Sequence, residues 1–455
     1  MRLSPRKAFG RRVLGTERLP LWLRDGWRIE AVVPETDRFL VQARGDQARF
    51  TLEARQASSG GLALKLVPGS AKGPRKALAT GLERVATAVR AGQHRAGPEL
   101  FLRPFQAVFL LTDICNLRCS YCQVPFGQNV LSEAQIDRAL ELVADEASPS
   151  FTLLGGEPTL AWDRVRYLVE TTRARWPDCS LCMVTNATQF TPERAAWLAS
   201  LDLDLTVSLD GDRDSHVRWR RGTSNDTEAR AAELYEQTLD GLRLLVEAGQ
   251  RVQANMVVTP ETVHALAANA ELLYELGCDT VSVSPAVGVR WPDEALDELA
   301  RGFSAWSDAL LDRLDTADAD RRQRTRVAIH WELRRAWYSL GEGIFHPFAR
   351  RVVFGADGKL YSDLYNSEIG GELVLGDLAT TDSLADLPEG RTTTPQASYV
   401  AASWTPQVFE DVKRISTVQL EALRALDAAF DTRFDQPVEG ARELVGHAPF
   451  DGWTP

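Results

Sequence analysis

The chain has 455 residues, 44% of them hydrophobic and 25% charged, with a formal net charge of −11. That balance suits a folded globular protein of two or three domains. The acidic excess excludes a general nucleic-acid binder, which carries a basic face, and no run of about 18 apolar residues is present to span a membrane. The basic start, Met1 to Arg12, leads into no apolar segment and is not expected to be a secretory signal. Six cysteines, three of them clustered, do not form the framework of a secreted disulfide-rich protein, so the expected compartment is the cytoplasm.

In chain order, residues 1–26 read as an irregular basic arm. Trp27 to Val33, Phe39 to Ala43, Arg49 to Ala54 and Leu62 to Val67 alternate apolar and polar residues, the period of half-buried strands. Lys76 to Ala91 has helical spacing, with Leu78, Leu82, Val85 and Val89 on one face. The first hundred residues are therefore expected to form a β-meander plus helix, either a structural appendage or a docking module for a peptide substrate. Gly92 to Pro104 reads as a linker.

From Ala107 onward short apolar strands alternate with helices. Strands are predicted at 107–112, 150–154, 180–185, 203–209, 251–258 and 279–284, each followed by a helical segment. Ser132 and Gln135 have the spacing of a capping box. Thr191-Pro192 and Thr259-Pro260 read as caps with proline at the first helical position. Gly249 and Gly277 stop the helices before them. Six βα units in a row imply a parallel sheet with right-handed crossovers. The expected fold is α/β: a partial (β/α)6 TIM-like barrel at 101–295, a small N-terminal β-rich domain at 1–100 and a C-terminal α/β extension at 296–455. Within that extension 293–340 reads as helical, Arg351 to Tyr361 as a hairpin turning at Asp357-Gly358, 379–406 as a polar loop and Gln407 to Phe434 as a closing helix.

The chemistry concentrates at the predicted carboxyl ends of the strands, where sites of such folds lie. Cys115, Cys119 and Cys122 share the loop that leaves the first barrel strand. Three thiolates this close can meet at one metal centre. Both a closed zinc site and a cubic iron–sulfur cluster take four ligands, and no fourth cysteine or histidine is nearby in the sequence. The thiols are therefore structural, or part of a zinc knuckle, or three ligands to a four-iron cluster with one iron left open. Gly155-Gly156-Glu157-Pro158 follows the second strand; its glycines let another group approach the backbone closely, and its carboxylate can accept from an ammonium group. Thr185-Asn186, Ser208 to Gly211 and His216 to Arg220 end or follow the next two strands. Cys182 and Cys278 are placed in the core by alternation, as small hydrophobes. Cys278 is also the thiol to test if a hydrogen atom has to be returned to a substrate. His330 and His346 have no evident partner.

The spacing Cys-x3-Cys-x2-Cys, with Tyr121 before the last cysteine and the Gly155 to Pro158 motif one strand later, resembles the radical S-adenosylmethionine (SAM) superfamily. The resemblance implies a [4Fe–4S] cluster on Cys115, Cys119 and Cys122. It implies SAM on the open iron, an external electron donor of flavodoxin or ferredoxin type, and a 5′-deoxyadenosyl radical that abstracts a substrate hydrogen. Carried over residue by residue, Gly155, Gly156, Glu157 and Pro158 hold the methionine amine and Tyr121 lies by the adenine. Thr185, Asn186, Ser208 and Asp210 face the SAM carboxylate and ribose, and Arg220 pairs with the carboxylate. The family's His-to-Arg element is present as His216 to Arg220, with Val217 in place of its acidic residue. Ser208 to Gly211 together with this element is most similar to the SPASM/twitch branch, which modifies peptides and proteins. Ser362 stands where that branch's extension carries a cysteine, and no cysteine follows Cys278, so the extension is expected to be cluster-free. The implied substrate is a peptide of RiPP type. A small natural-product metabolite is the alternative, as is a non-catalytic cluster-bearing peptide scaffold.

Overall fold

In the computed structural model, the structure describes the backbone of five strands between residues 21 and 66. Beyond them it describes 106–122, 126–144, 149–177, 179–222, 227–339, 351–361, 374–384, 387 and 406–434. The predicted helix at 76–91, the linker at 92–104, Ser362 and His346 lie outside the described residues.

The stretch read as an irregular arm ends in a strand, β1 (Leu21–Leu23), because its apolar Leu-Trp-Leu pairs antiparallel with the next strand. The alternating stretches form β2 (Trp27–Pro34), β3 (Phe39–Arg44), β4 (Arg49–Gln56) and β5 (Leu62–Leu66), and all five pair antiparallel in sequence order. The register between β2 and β3 slips at Ile29 and Ala31, the mark of a bulge.

The barrel follows the predicted alternation. Its strands β6 (Gln106–Leu110), β7 (Ser150–Leu154), β8 (Ser180–Thr185), β9 (Asp204–Ser208), β10 (Val252–Val258) and β11 (Thr280–Pro285) are parallel neighbours in sequence order. The connecting helices are α1 (Glu133–Leu142), α2 (Trp162–Arg175), α3 (Pro192–Ala199), α4 (Arg213–Trp219), α5 (Glu228–Glu247) and α6 (Leu266–Glu275). Ser132 and Gln135 close a reciprocal capping box on α1, and Thr191 caps α3. α6 begins at Leu266 rather than at Pro260: the Thr259 N–H donates to Thr262 Oγ1 at 3.0 Å, and that turn delays the helix. α4 is a short helix absent from the strand-and-helix periodicity, capped by Asp212.

Register assigns each strand residue to a face. Phe109, Leu153, Met183, Leu205, Val207, Met256 and Val283 point outward and are buried under the helices. Val108, Thr152, Cys182, Thr206, Ser208, Asn255 and Ser282 occupy the opposite, inner face. Cys182 is therefore not a core residue, as alternation alone suggested. In an open barrel the second face of each strand lines the lumen, and the core positions of β8 are Leu181 and Met183. Cys278 is buried at the amino end of β11, the end opposite the cysteine loop, a placement that suits packing rather than hydrogen return.

The C-terminal region is continuous with the barrel. α7 (Asp293–Asp315) and α8 (Ala319–Ser339) precede β12 (Arg351–Phe354), which pairs parallel with β6. β12 turns back through Asp357-Gly358, with Gly358 at φ +80°, into β13 (Lys359–Tyr361), and β14 (Val374–Asp377) completes the nine-stranded sheet. At the other edge, α9 (Pro406–Phe434) brings Gln419, whose Nε2 donates to the Val283 carbonyl at 3.2 Å, so the exposed edge of β11 is partly satisfied. The sheet does not close on itself. Among the described residues no helix is long and apolar enough to cross a membrane.

One helix–loop contact depends on a missing side chain. A Cβ at Gly241 in α5 would stand 1.9 Å from the carbonyl oxygen of Ala187, which itself has φ +61°. Glycine to alanine in a helix normally stabilises by about 0.5–1 kcal/mol. Here Gly241→Ala is expected to destabilise by about 1–3 kcal/mol through overpacking; urea midpoints of the two proteins measure the sign.

Candidate active site around the cysteine loop

The loop from Thr112 to Val130 leaves the carboxyl end of β6, and its base is zipped to itself. Thr112 and Val130 form an isolated antiparallel bridge, and Asp113 Oδ1 accepts from the Asn129 N–H at 2.6 Å. A Cβ at Gly127 would fall 2.3 Å from Asp113 Oδ2, so the return strand passes only because residue 127 has no side chain.

Three other loops hold the cysteine-bearing arc. The Gly156 N–H donates to the Thr112 carbonyl at 2.7 Å and the Glu157 N–H to the Ile114 carbonyl at 2.8 Å. A Cβ at Gly156 would meet Ile114 O at 2.4 Å and Cys115 Cβ at 2.9 Å. The group that approaches these glycines is thus the cysteine loop itself. From the end of β8, Asn186 Nδ2 donates to Asn116 Oδ1 at 2.9 Å and Asn116 Nδ2 donates to Thr188 Oγ1 at 2.8 Å. From α4, the Trp219 and Arg221 carbonyls accept from the N–H groups of Ser120 at 3.0 Å and Arg118 at 2.5 Å.

Glu157 is 1% exposed. Its Oε1 accepts from Thr159 N–H (3.0 Å), Thr159 Oγ1 (2.5 Å) and Thr185 Oγ1 (2.6 Å), and its Oε2 accepts from the Asn186 N–H at 2.7 Å. Burial pushes its carboxyl above the usual carboxylate range, and these four bonds pull against the shift. The carboxylate ties the β7 and β8 ends together and keeps one acceptor position on Oε2. Thr185 and Asn186 likewise spend groups on the protein. Gly155 faces the Thr112 carbonyl, Pro158 opens a short 3-10 turn, and Ser208 lies on the inner face at the end of β9.

Asp210 and Arg220 form a buried, bidentate ion pair: Arg220 Nε to Oδ2 and Nη2 to Oδ1, both at 2.9 Å. Asp210 Oδ1 also accepts from the Val257 N–H at 2.9 Å, and the Tyr121 hydroxyl donates to Oδ2. The Arg220 guanidinium stands 5.3 Å from the Tyr121 ring centroid. Arg220, expected on a SAM carboxylate, is thus already engaged by the carboxylate ten residues before it. His216 is fully buried, and its Nδ1 accepts from the Asp210 N–H at 3.4 Å. Burial drops its pKa to about 3, so the ring is neutral. Val217, in the acidic position of the family element, is buried and its side chain offers no carboxylate there.

Cys115, Cys119 and Cys122 form no disulfide, and each is partly exposed. Burial pushes Cys115 and Cys119 up to about 12, with neighbouring cysteines adding to the shift and Arg220 opposing it at Cys119. Metal coordination removes such protons outright. Among the described residues no three Cys, His, Asp or Glu side chains gather closely enough to hold one metal ion. Three thiols outside any disulfide on one clamped arc suit ligands to separate corners of a cubic cluster, and the residues present fit that group. A cavity of about 10 Å³ lined by Gln253, Ser282, Trp306 and Glu332 lies by β11, away from these thiols.

The fold and the clamped loop define an open (β/α)6 barrel with a thiol-rich site at the carboxyl ends of its strands. Residues 109–273 match the model of the Radical SAM superfamily. The cofactors of that superfamily are a [4Fe–4S] cluster and SAM. In sequence the chain is similar to GTP 3',8-cyclase of Mycobacterium marinum, 33% identical over 163 residues, covering 33% of this chain and 42% of the relative. It is also similar to GTP 3',8-cyclase of Pasteurella multocida, 28% identical, covering 32% and 43%. It spans less than half the length of these relatives. The fold is similar to that of anSMEcpe with bound AdoMet, with a TM-score of 0.56 at 15% identity over 76% of this chain and 99% of that one. It is similar too to anSMEcpe with bound AdoMet and Cp18Cys peptide, with a TM-score of 0.54 at 15% identity over 72% and 99%.

Asp113, Asn116 and the backbone role of His216 were not singled out from sequence. Asn116, inside the cysteine triplet, was the one with a positional signal.

Two outcomes test this architecture in the cluster-free protein. Glu157→Gln places an amide donor against donors and is expected to cost about 1–3 kcal/mol, read as a lower urea midpoint. His216 refuses in the folded state a proton that the unfolded chain binds below pH 6.5. Its contribution is therefore fully present above pH 6.5 and declines as pH falls towards about 3. Between pH 7.5 and 5.5 wild type is expected to lose about 1.4 kcal/mol more stability than His216→Gln.

Proposed function

We propose that this protein uses one [4Fe–4S] cluster and SAM to abstract a hydrogen atom from a peptide, in a post-translational modification of RiPP type. The observation that carries the radical chemistry is the three-thiol loop clamped over an open parallel barrel. Cys115, Cys119 and Cys122 would hold the cluster as its three protein ligands, and SAM would make a fourth protein thiol unnecessary. When bound, the cofactors would supply the radical chemistry for hydrogen abstraction from a substrate in the lumen. The chain's own residues orient and exclude water. Gly155, Gly156 and Glu157 keep the cysteine arc against β7, with the free acceptor position of Glu157 Oε2 and the Gly155 and Pro158 backbone available to the methionine amine. Tyr121, Thr185, Asn186, Ser208, Asp210 and Arg220 border the same mouth. An external one-electron donor of flavodoxin or ferredoxin type is part of the proposal.

The inner face favours a peptide. From β9 to β11 it presents Thr206, Ser208, Gln253, Asn255 and Ser284, groups that pair with amides. Ser284 Oγ already donates to Asn255 Oδ1 at 2.8 Å. None of these positions is Arg, Lys or His, the groups that recognise phosphate. The sequence likeness to GTP 3',8-cyclases supports a second reading, a small-molecule substrate.

Anaerobic reconstitution should give a brown protein with about four irons. Reduction with SAM present should release 5′-deoxyadenosine from the native chain and not from the Cys115→Ala, Cys119→Ala, Cys122→Ala variant. A peptide encoded beside the chain should raise that release and change mass, whereas GTP should do neither. Stimulation by GTP would replace the peptide reading with the small-molecule one.

A further inference from the structure

We infer that Arg220 sets the reduction potential of the cluster through Cys119, with Asp210 holding it in place and partly cancelling its charge. The inference rests on the proposed cluster and concerns this chain's own residues around it.

Backbone pairing carries the geometry. The N–H groups of Arg118 and Ser120 donate to the carbonyls of Arg221 and Trp219, at 2.5 and 3.0 Å. Both bonds run from the loop to the end of α4, and they flank Cys119 on the loop and Arg220 on the facing segment, which brings the two residues' backbones together. Arg220 cannot swing away. Asp210 grips Nε and Nη2, Asp210 is itself held by Tyr121 and the Val257 N–H, and the Arg220 N–H donates to the His216 carbonyl at 2.9 Å. The pair is buried, with the two side chains 7% and 2% exposed, so its charges are weakly screened. The Arg220 guanidinium lies close enough to the Cys119 sulfur for its charge to act there. A fixed cation beside a cluster ligand stabilises the added electron, and a fixed anion disfavours it. Charge and hydrogen bonds at the sulfurs are the levers by which proteins place iron–sulfur potentials. Arg220 is therefore a positioning and tuning residue, distinct from any group that touches SAM.

The test is an electron-paramagnetic-resonance titration with dithionite on the full chain, reconstituted anaerobically and free of SAM, with iron content measured on each sample. Arg220→Gln is expected to move the midpoint to more negative potential. Arg220→Lys should stay near wild type. Asp210→Asn, which leaves the cation uncompensated, should move it to more positive potential. The opposite signs separate a charge effect from a loosened site, which would shift both variants the same way. If Arg220→Gln takes up no iron, Asp210→Asn and Arg220→Lys carry the test: Asp210→Asn at or below the wild-type midpoint overturns the inference. A four-iron wild-type protein whose midpoint ignores all three changes overturns the inference alone. A wild-type protein that takes up no iron overturns the proposed function and the inference with it.

Discussion

The site depends on how an exposed loop at the end of β6 satisfies its own backbone. A loop poised at a barrel mouth leaves peptide groups unpaired unless neighbours supply partners. Here Gly156 and Glu157 supply donors to Thr112 and Ile114, and the end of α4 supplies acceptors for Arg118 and Ser120. The loop's shape is thus dictated by three later segments of the chain, and the thiols occupy fixed places before any ligand arrives. That is preorganisation in a literal sense: the ordering cost of the arc is met in folding rather than at binding.

The second constraint is electrostatic. Burying Asp210 and Arg220 is not a source of net stability, since desolvation roughly cancels their attraction, yet removing either partner alone costs about 3–5 kcal/mol. The pair therefore acts as a latch. It links β9, β10 and the cysteine loop through Val257 and Tyr121, and it is complete only when all three are in register. His216 adds to the latch from below by accepting the Asp210 N–H, which accounts for a histidine four residues before the arginine without asking it to titrate or bind.

Much of this was legible in the sequence. The six strands, the capping box at Ser132 and the hairpin at Asp357-Gly358 follow from period, cap and turn residues whose causes are local. The cysteine triplet and the glycine pair were visible as motifs. Their mutual contacts were not, because a motif names the residues that converge and not which of them touch. Gly156 reads as room for a ligand, and only the fold reveals that the Ile114 carbonyl fills the space. Arg220 reads as a free cation, and its engagement with Asp210 requires a turn and a short helix, Asp212 to Trp219, that no periodicity announces. Cys182 was misplaced for a related reason. Alternation fixes which residues share a face, and it is silent on whether that face meets helices or a lumen.

The two ends of the sheet explain what remains open inside the barrel. On the β6 side, Val108 and Leu110 pack with Val353 and Tyr361 of the C-terminal strands, with Leu154 and Val374 against them, so that part of the inner face is apolar and covered. On the β11 side α8 reaches in, and Ser282 Oγ donates to Glu332 Oε1 at 2.6 Å. Between them lie the hydroxyl and amide side chains of β9 and β10, below Asp210 and the cysteine loop. The extension that follows the barrel thus does more than cover edges. By filling the apolar side it leaves the polar wall as the surface a substrate must match, and it does so next to the residue that faces Cys119.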